Sequence, residues 1–370
     1  MDIKKESISV KLIDSDLIEL INLQTGQKAN INKLTYDVIC SLINEEESEI
    51  FGKFEISECE LAQVKKMMLD LNLLSNNKNS IILNRELGNS IFDSDMNDYN
   101  KRILFVGLPY DSGSTGPTGS KEAPNYIRRY YSGFSSTSND FYFQSCSFTY
   151  SSQLGRYVED FGNILYIPGE GYNAFHERVI NNLSKVENKK ILGFGGDHSV
   201  SYSILEGLTQ RNKDEIIYVK FDAHFDCAGT SEFLPINHHN YVEKIREKEN
   251  VSIWHIGVRE PRLPFYETRD DLFITDFNQL NDMINKNRNK KFYLSIDVDI
   301  LEPMNNPGTA YQIPEGFEID ELISFLDLFD KINIIGLDVV EFNPLLDRNN
   351  SSLKNVKKIL TRAIRLLETL

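Results

Sequence analysis

The sequence predicts an α/β protein with a parallel sheet covered by helices on both faces, preceded by a small α+β domain. After residue 101, short apolar runs of strand length alternate with segments of helical spacing, which is typical of a parallel sheet. The chain has 370 residues, a length that first suggests two domains. Its content of 41% hydrophobic and 26% charged residues is ordinary for a soluble globular protein.

Residues 1–80 predict a winged-helix-like domain made of a small β-hairpin and helices. Alternating apolar residues and turn-forming residues indicate the strands, and apolar residues at helical spacing indicate the helices. The predicted elements are strands over 6–24 around a turn at 14–16, a strand ending near Ile31, and helices over 34–43 and 60–74. About 80 residues are enough for a modest core. The polar segment 81–100 is assigned to a linker.

Residues 101–370 predict the larger domain, in which strands and helices alternate. The predicted strands cover 103–107, 164–167, 191–194, 216–221, 251–257, 272–275, 292–296 and 333–338. The predicted helices include 200–210, 276–287, 318–330 and 351–368. Ligands of such sheets bind at the carboxyl ends of the strands, so this edge is where a functional site is expected.

Three of these strands run directly into histidine and aspartate side chains. They are His198 after 191–194, Asp222, His224 and Asp226 after 216–221, and Asp297 and Asp299 after 292–296. Residues two apart in an extended chain point to the same side, so each group converges at the end of its strand. Four carboxylates in a partly dry site would repel one another, and two divalent cations would cancel that charge. The alternative is that each residue only caps a nearby loop or helix.

These motifs resemble those of a known enzyme family. G-G-D-H-S at 195–199, D-A-H-F-D at 222–226 and S-I-D-V-D-I-L-E-P at 295–303 are similar to the three metal motifs of the ureohydrolases, which include arginases, agmatinases and guanidino-acid hydrolases. Further similar segments lie at 107–113, 123–128, 307–317 and 337–344. The resemblance implies an arginase-like three-layer α/β/α fold for residues 101–370.

The resemblance also implies two Mn²⁺ ions per chain and a ligand set for each. One ion would be held by His198, Asp222, Asp226 and Asp297, and the other by His224, Asp222, Asp297 and Asp299, with Asp222 and Asp297 bridging. A mixed shell of imidazole and carboxylate suits manganese better than a metal that prefers thiolates. Two such ions acidify a shared water and provide hydroxide at neutral pH.

By the same resemblance, four residues are expected to act on the substrate. Glu341, in D-V-V-E-F-N-P, matches the glutamate that binds the guanidinium group, and His238, in I-N-H-H-N-Y, matches a proton-shuttling histidine. Asp226 is counted among the catalytic residues, and His239 is assigned to substrate binding beside Glu341. If the match to the family motif were shifted by one position, His238 and His239 would exchange roles.

The segment 16–43 is similar to PqqD-like domains, which recognise the leader peptides of ribosomally made, modified peptides. This resemblance implies a precursor peptide as the partner of the N-terminal domain. The alternative is a generic winged-helix scaffold or an oligomerisation arm, and the chain is a candidate homo-oligomer. A DNA-binding role is disfavoured, because residues 1–90 contain ten Lys or Arg against fifteen Asp or Glu.

Composition excludes several other classes of function. The formal net charge of −15 opposes binding to phosphate backbones, so no nucleic-acid partner is expected. The chain has neither an apolar signal region near residue 1 nor a run near the ~20 apolar residues of a membrane span, so we expect a cytoplasmic protein without a membrane partner. Four scattered cysteines suggest neither disulfides nor a zinc site: Cys40, Cys59, Cys146 and Cys227. His176 and His255 lie in contexts typical of packing histidines.

Two loops depart from the arginase pattern. Residues 227–237 read C-A-G-T-S-E-F-L-P-I-N and lack the D-I-N-T-P run with which arginases bind the substrate's α-carboxylate. The loop 307–317 carries Tyr311 and Gln312 where relatives carry T-P-E-P-G-G. Recognition of free arginine in the arginase manner is therefore not expected. The aromatic-rich stretch 111–163 either walls the substrate cleft or packs beneath the surface.

The leading hypothesis is a peptide arginase, which converts arginine side chains of a precursor peptide to ornithine and releases urea. The alternative enzyme is an agmatinase-like or guanidino-acid hydrolase that acts on a free small molecule. A third hypothesis, from another class, is a metal-binding peptide adaptor without catalysis.

Overall fold

The computed structural model divides the chain into two compact units. The first comprises Met1–Asn84 with Leu165–Ile167, and the second comprises Arg85–Ile164 with Pro168–Leu370. The described residues are 8–13, 16–22, 28–44, 47–71, 91, 101–131, 155–167, 172–211, 214–228, 235–261 and 271–369. The predicted linker 81–100 lies outside them except for Ile91, so the predicted domain boundaries stay predictions.

The first unit combines an antiparallel sheet of order β1-β2-β3 with three helices. Its elements are β1 (Ile8–Leu12), β2 (Leu17–Asn22), β3 (Lys28–Asn32), α1 (Lys33–Asn44), α2 (Glu47–Phe54) and α3 (Glu58–Asp70). Ile18 and Leu20, two apart on β2, point to the same face and pack with Ile39 and Met68 from the helices. This small core agrees with the predicted α+β organisation.

The helix boundaries of this unit follow local chemistry that hydrophobic spacing alone does not show. Helix α3 begins after Ser57, whose Oγ accepts from the Glu60 N–H at 3.3 Å, while Glu60 Oε2 accepts from the Ser57 N–H at 2.8 Å. This reciprocal pair is a capping box, and it starts the helix two residues before the predicted position. Helix α2 was not predicted, because two turns are too short to show a clear period.

The second unit is built on an eight-stranded sheet whose neighbouring strands are all parallel, as the sequence predicts. Its strands are β4 (Ile103–Gly107), β5 (Val158–Asn163), β6 (Lys190–Phe194), β7 (Ile216–Phe221), β8 (Val251–Ile256), β9 (Leu272–Ile274), β10 (Lys291–Asp297) and β11 (Ile334–Val340). Their order is β5-β4-β6-β11-β10-β7-β8-β9. The four central strands are thus β6, β11, β10 and β7, and their carboxyl ends lie side by side.

Helices between these strands bury apolar side chains, and four of the described helices form one large core with the sheet. The helices are α4 (Ala123–Tyr131), α5 (Tyr172–Leu183), α6 (Val200–Arg211), α7 (Tyr241–Arg246), α8 (Phe277–Lys286), α9 (Ile319–Asp327) and α10 (Ser351–Glu368), with 3₁₀ turns at Ser120–Glu122 and Val298–Ile300. All four predicted helices are present. Among the described residues, no helix combines the length and apolarity that a membrane crossing requires.

One predicted strand was wrong. The apolar run 164–167 was assigned to a strand, but the strand is β5, which carries Glu159 and Asp160 and looks too polar to be buried. The reason is an internal ion pair: Asp160 accepts from Arg128 Nε and Nη2, each at 2.9 Å, and both side chains are buried. Burial alone would raise the pKa of Asp160, but Arg128 lowers it, so the strand buries a paired charge.

Candidate metal centre

A glycine turn at the end of β6 places the first candidate ligand. Gly195 and Gly196 have φ of 86° and 83°, in the region that favours glycine. A Cβ on Gly196 would lie only 2.6 Å from the Leu108 carbonyl oxygen, so a larger residue would displace the neighbouring loop. The turn leads to His198, which lies two residues before the start of α6 and is buried.

The six predicted ligands come together at the carboxyl ends of β6, β7 and β10. His198 Nδ1 lies 2.8 Å from Asp222 Oδ2 and 3.2 Å from the Oδ2 atoms of both Asp226 and Asp297. His198, Asp222 and Asp297 form one compact group of potential ligands.

The second group contains Asp222, His224 and Asp299. His224 Nδ1 lies 2.8 Å from Asp299 Oδ2 and 3.5 Å from Asp222 Oδ1. Asp222 therefore belongs to both groups through its two oxygens, the arrangement expected of a bridging carboxylate. Asp297, also predicted to bridge, is grouped with His198 only.

One buried atom at the centre of the first group, His198 Nδ1, lies 2.8 Å from Asp222 Oδ2, which Lys220 Nζ also approaches to 2.6 Å. His198 Nδ1 makes no hydrogen bond of acceptable geometry with the residues that the structure describes. Buried polar atoms are rarely left in this state. Separations near 3 Å between donor atoms are those of neighbouring ligands around an ion bound at about 2 Å. The residues therefore fit a divalent cation.

The pKa values reflect the crowding of carboxylates. Burial raises the pKa of Asp297, and neighbouring Asp299 and Asp222 raise it further. Burial and Asp222 raise the pKa of Asp299 to about 6. Burial alone would lower the pKa of His224, but Asp222 and Asp299 raise it to about 12. The crowded carboxylates thus favour a nearby positive charge, which is the reason the sequence predicts bound cations here.

A hydrogen-bond chain behind His198, which the sequence analysis did not single out, fixes its tautomer. His198 Nε2 lies 2.9 Å from Ser295 Oγ, which donates to Asp338 Oδ1 at 2.7 Å. Because the Ser295 proton goes to Asp338, Ser295 accepts from the imidazole, and the free electron pair of Nδ1 faces the ligand group. Ser295, two residues before Asp297 on β10, could have been found from strand alternation.

Lys220 is a second residue that the sequence analysis missed. It is fully buried, with Nζ 2.6 Å from Asp222 Oδ2, 3.1 Å from Asp226 Oδ2 and 2.7 Å from the His224 carbonyl oxygen. Burial alone would lower its pKa, but the two aspartates raise it, so the ammonium stays charged. Its position two residues before Asp222 was the available signal.

Glu341 and His238 form a second polar pair beside the ligands. Glu341 Oε1 accepts from the His198 N–H at 2.9 Å and lies 3.3 Å from His238 Nδ1. The Thr115 N–H donates to His238 Nε2 at 3.1 Å, so the imidazole proton sits on Nδ1, facing Glu341. Burial alone would lower the pKa of His238, but Glu341 raises it.

His239 occupies a different position from His238. Its Nε2 lies 2.7 Å from Thr115 Oγ1, which is also 2.7 Å from the Tyr311 hydroxyl. Burial and neighbouring His238 lower the pKa of His239. The structure thus places His238 against Glu341, and His239 in a bridge to Tyr311.

A cavity of about 20 Å³ lies over the ligands, enough for one or two water molecules. Its polar wall is made by His198, His224, Asp226, His238, His239, Asp297, Asp299 and Glu341, and its remaining lining residues are Ala310 and Tyr311. The six candidate ligands, apart from Asp222, therefore face one small cavity together with the predicted substrate-binding residues.

Comparison with known proteins identifies the family. The arginase family model matches residues 101–365. The chain belongs to the arginase family. An agmatinase of Bacillus subtilis (strain 168) is 25% identical over 277 residues, which cover 70% of this chain and 89% of that protein. A 32.2 kDa protein of Methanothermus fervidus is 29% identical over 257 residues, 65% of this chain and 84% of that protein.

A solved structure supports the fold of this arginase-family hydrolase. Proclavaminate amidino hydrolase from Streptomyces clavuligerus aligns with a TM-score of 0.63 at 20% identity, over 79% of this chain and 99% of that chain. At this identity the comparison shows the fold, and it confirms the predicted arginase-like α/β architecture.

The remaining histidines of this arginase-family chain lie in packing environments. Burial lowers the pKa of His176 to about 4, and its Nδ1 lies 2.6 Å from Ser203 Oγ. His255 Nε2 lies 3.0 Å from Asp271, in a group with Cys227 that also has ligand-like spacing. Arg246 donates to Asp271 and to Cys227 Sγ, so a cation already occupies that group.

Proposed function

We propose that this chain is a manganese-dependent hydrolase that converts arginine side chains of a ribosomally made precursor peptide to ornithine and urea. The observation that carries guanidine hydrolysis is the Glu341 and His238 pair, at the rim of the same cavity as the two candidate ligand groups. One carboxylate that is not a ligand, beside one histidine that holds a proton, is what a cationic guanidinium substrate requires.

Each residue has a distinct task in this proposal. When bound, the two ions supply Lewis acidity and a hydroxide nucleophile at neutral pH. The Glu341 carboxylate pairs with the guanidinium cation and orients its central carbon towards the ligand groups. His238, protonated to the imidazolium that Glu341 favours by raising its pKa, would pass a proton to the departing amine nitrogen and return to neutral imidazole, which makes that nitrogen a better leaving group.

The donor set favours manganese. The two groups offer imidazole nitrogens and carboxylate oxygens, without a thiolate. Such a set suits hard and intermediate divalent cations, of which manganese accepts both donor types.

Two features favour a peptide over free arginine. The segment 227–237 lacks the loop with which arginases bind an α-carboxylate, and an arginine within a peptide has no free α-carboxylate to bind. The first unit has a three-stranded sheet with edge strands β1 and β3, and an extended leader can add to such an edge through backbone hydrogen bonds.

The alternative is an agmatinase-like hydrolase of a free small guanidine, and it is favoured by the agmatinases among the relatives. The deciding experiment measures urea release by the intact, manganese-loaded chain from N-acetylarginine methylamide, short arginyl peptides, arginine and agmatine. We expect the highest kcat/KM for a peptide-bonded arginine. Faster turnover of agmatine than of every peptide would establish the alternative instead.

A further inference from the structure

An open groove adjoins the cavity over the ligands. It has a volume of about 730 Å³, in the range of pockets that hold drug-sized ligands. Ala310 and Tyr311 line both the groove and the ligand cavity, so the two spaces share one wall. A guanidinium group belongs with the polar residues of the cavity, which leaves the groove for another part of a larger substrate.

The lining of the groove is unlike that of the cavity. Its apolar residues include Pro303, Met304, Pro307 and Leu346. Met304 is 87% exposed and Leu345, beside the groove residue Leu346, is 71% exposed. Apolar side chains that are this exposed, in the groove or next to it in sequence, favour a surface that binds a partner.

The groove also carries a positive charge. Arg348 lines it and is exposed, and it makes no ion pair with any other residue that the structure describes. In a chain of net charge −15, a free guanidinium beside an apolar surface selects an acidic group on its ligand.

Tyr311 separates the groove from the cavity. Its backbone has φ of 49°, a left-handed conformation that is costly for a bulky residue, and its hydroxyl is bonded to Thr115. A Cβ on Gly116 would lie 2.6 Å from the Tyr311 ring, so the ring packs closely on that glycine. The main chain of a substrate can lie in the groove while one side chain passes Tyr311 towards the ligands.

We propose that this groove binds the residues flanking the target arginine of a peptide substrate, with an apolar side chain against Met304 and Leu346 and an acidic side chain against Arg348. This inference rests on the proposed function, because it assigns the substrate's main chain to a surface that a small guanidine does not need.

The test compares flanking sequences in short peptides without any leader. One acetylated, amidated peptide set carries arginine between Leu and Asp residues in both orders, and a second set carries it between glycines. We expect kcat/KM for the better Leu/Asp peptide to exceed that for the glycine peptide about tenfold or more, through KM. In Met304→Asp and in Arg348→Glu this ratio should fall towards one.

Matched variants control for indirect effects. Met304→Leu should keep the preference, and so should Arg288→Glu, a charge reversal outside the groove. If the wild type shows no flank preference, or if Met304→Asp and Arg348→Glu keep it while arginyl peptides are still hydrolysed, the groove assignment is overturned and the proposed function stands. Hydrolysis of agmatine without any arginyl peptide overturns both.

Discussion

At the scale of single residues, the backbone positions the aspartates of the metal centre. Asp222 Oδ1 accepts from the His224 N–H at 2.6 Å, Asp297 Oδ1 from the Asp299 N–H at 2.8 Å, and Asp299 Oδ1 from the Ala223 N–H at 3.1 Å. In each case Oδ2 approaches an imidazole Nδ1. Asp297 and Asp299 thus each have one oxygen fixed by the backbone and one directed to an imidazole, whereas both oxygens of Asp222 face an imidazole, Oδ1 lying 3.5 Å from His224 Nδ1.

The position of Asp222 in both groups leads to the first prediction. Asp222→Ala should lose both manganese ions, because each group loses a ligand, whereas Asp299→Ala should keep the ion held with His198. Elemental analysis of purified, dialysed variants measures the difference directly. Two equivalents of manganese in Asp222→Ala would contradict the assignment.

The second prediction separates the two adjacent histidines. His238→Ala should keep its manganese but lose roughly 10²- to 10⁴-fold in urea production, the usual contribution of a positioned acid or base. His239→Ala should have a milder effect, because His239 contacts Thr115 and not Glu341. The reverse ranking in steady-state rates would exchange their roles.

The third prediction concerns the buried ammonium of Lys220. Lys220→Met leaves Asp222 and Asp226 without their cation, so the metal-free protein should lose about 3–5 kcal/mol of unfolding free energy. Added manganese should restore much of that loss, because the buried negative charge that has lost its ammonium partner attracts the ion. The control is Arg128→Met, which breaks the buried pair with Asp160 away from the centre. If manganese restored the stability of both variants equally, as measured by thermal unfolding, this role of Lys220 would be refuted.

At the scale of helices and strands, the sequence predicts elements whose signals are local. Strands β6, β7 and β10 are near-continuous apolar runs, and each leads into candidate ligands, so both the sheet and the grouping of these side chains could be predicted. Strand β5 could not, because its burial depends on an Arg128 partner some thirty residues away. The same holds for the Tyr311 bridge, which joins residues 196 positions apart in sequence.

A buried histidine on α5 gives the fourth prediction. His176 has a pKa of about 4 in the folded chain, against about 6.5 when unfolded. The unfolded state therefore binds the extra proton, and stability is lost as pH falls below 6.5 towards 4. Between pH 7 and 5 the wild type should lose about 2 kcal/mol more unfolding free energy than His176→Asn. Parallel pH profiles would show that His176 does not contribute.

At the scale of the whole molecule, the proposed function gives the two units separate tasks. Each has its own apolar core, and all the candidate ligands and substrate-binding residues lie between His198 and Glu341 in the second unit. The described part of the first unit contributes no group to the metal centre. This division is what a recognition domain attached to a complete hydrolase requires.

The last prediction tests that division with the intact chain. If the first unit binds a leader, the leader tethers the target arginine near the metal centre and raises its effective concentration. If a neighbouring gene encodes an arginine-containing precursor, its free leader should then raise the apparent KM for that precursor, by up to about 100-fold. It should leave turnover of N-acetylarginine methylamide unchanged, and a scrambled leader should change neither. Equal inhibition of the turnover of both substrates would place the leader in the active site. No inhibition of either reaction would favour a scaffold or an oligomerisation arm as the role of the first unit. Sedimentation analysis can identify an oligomerisation arm.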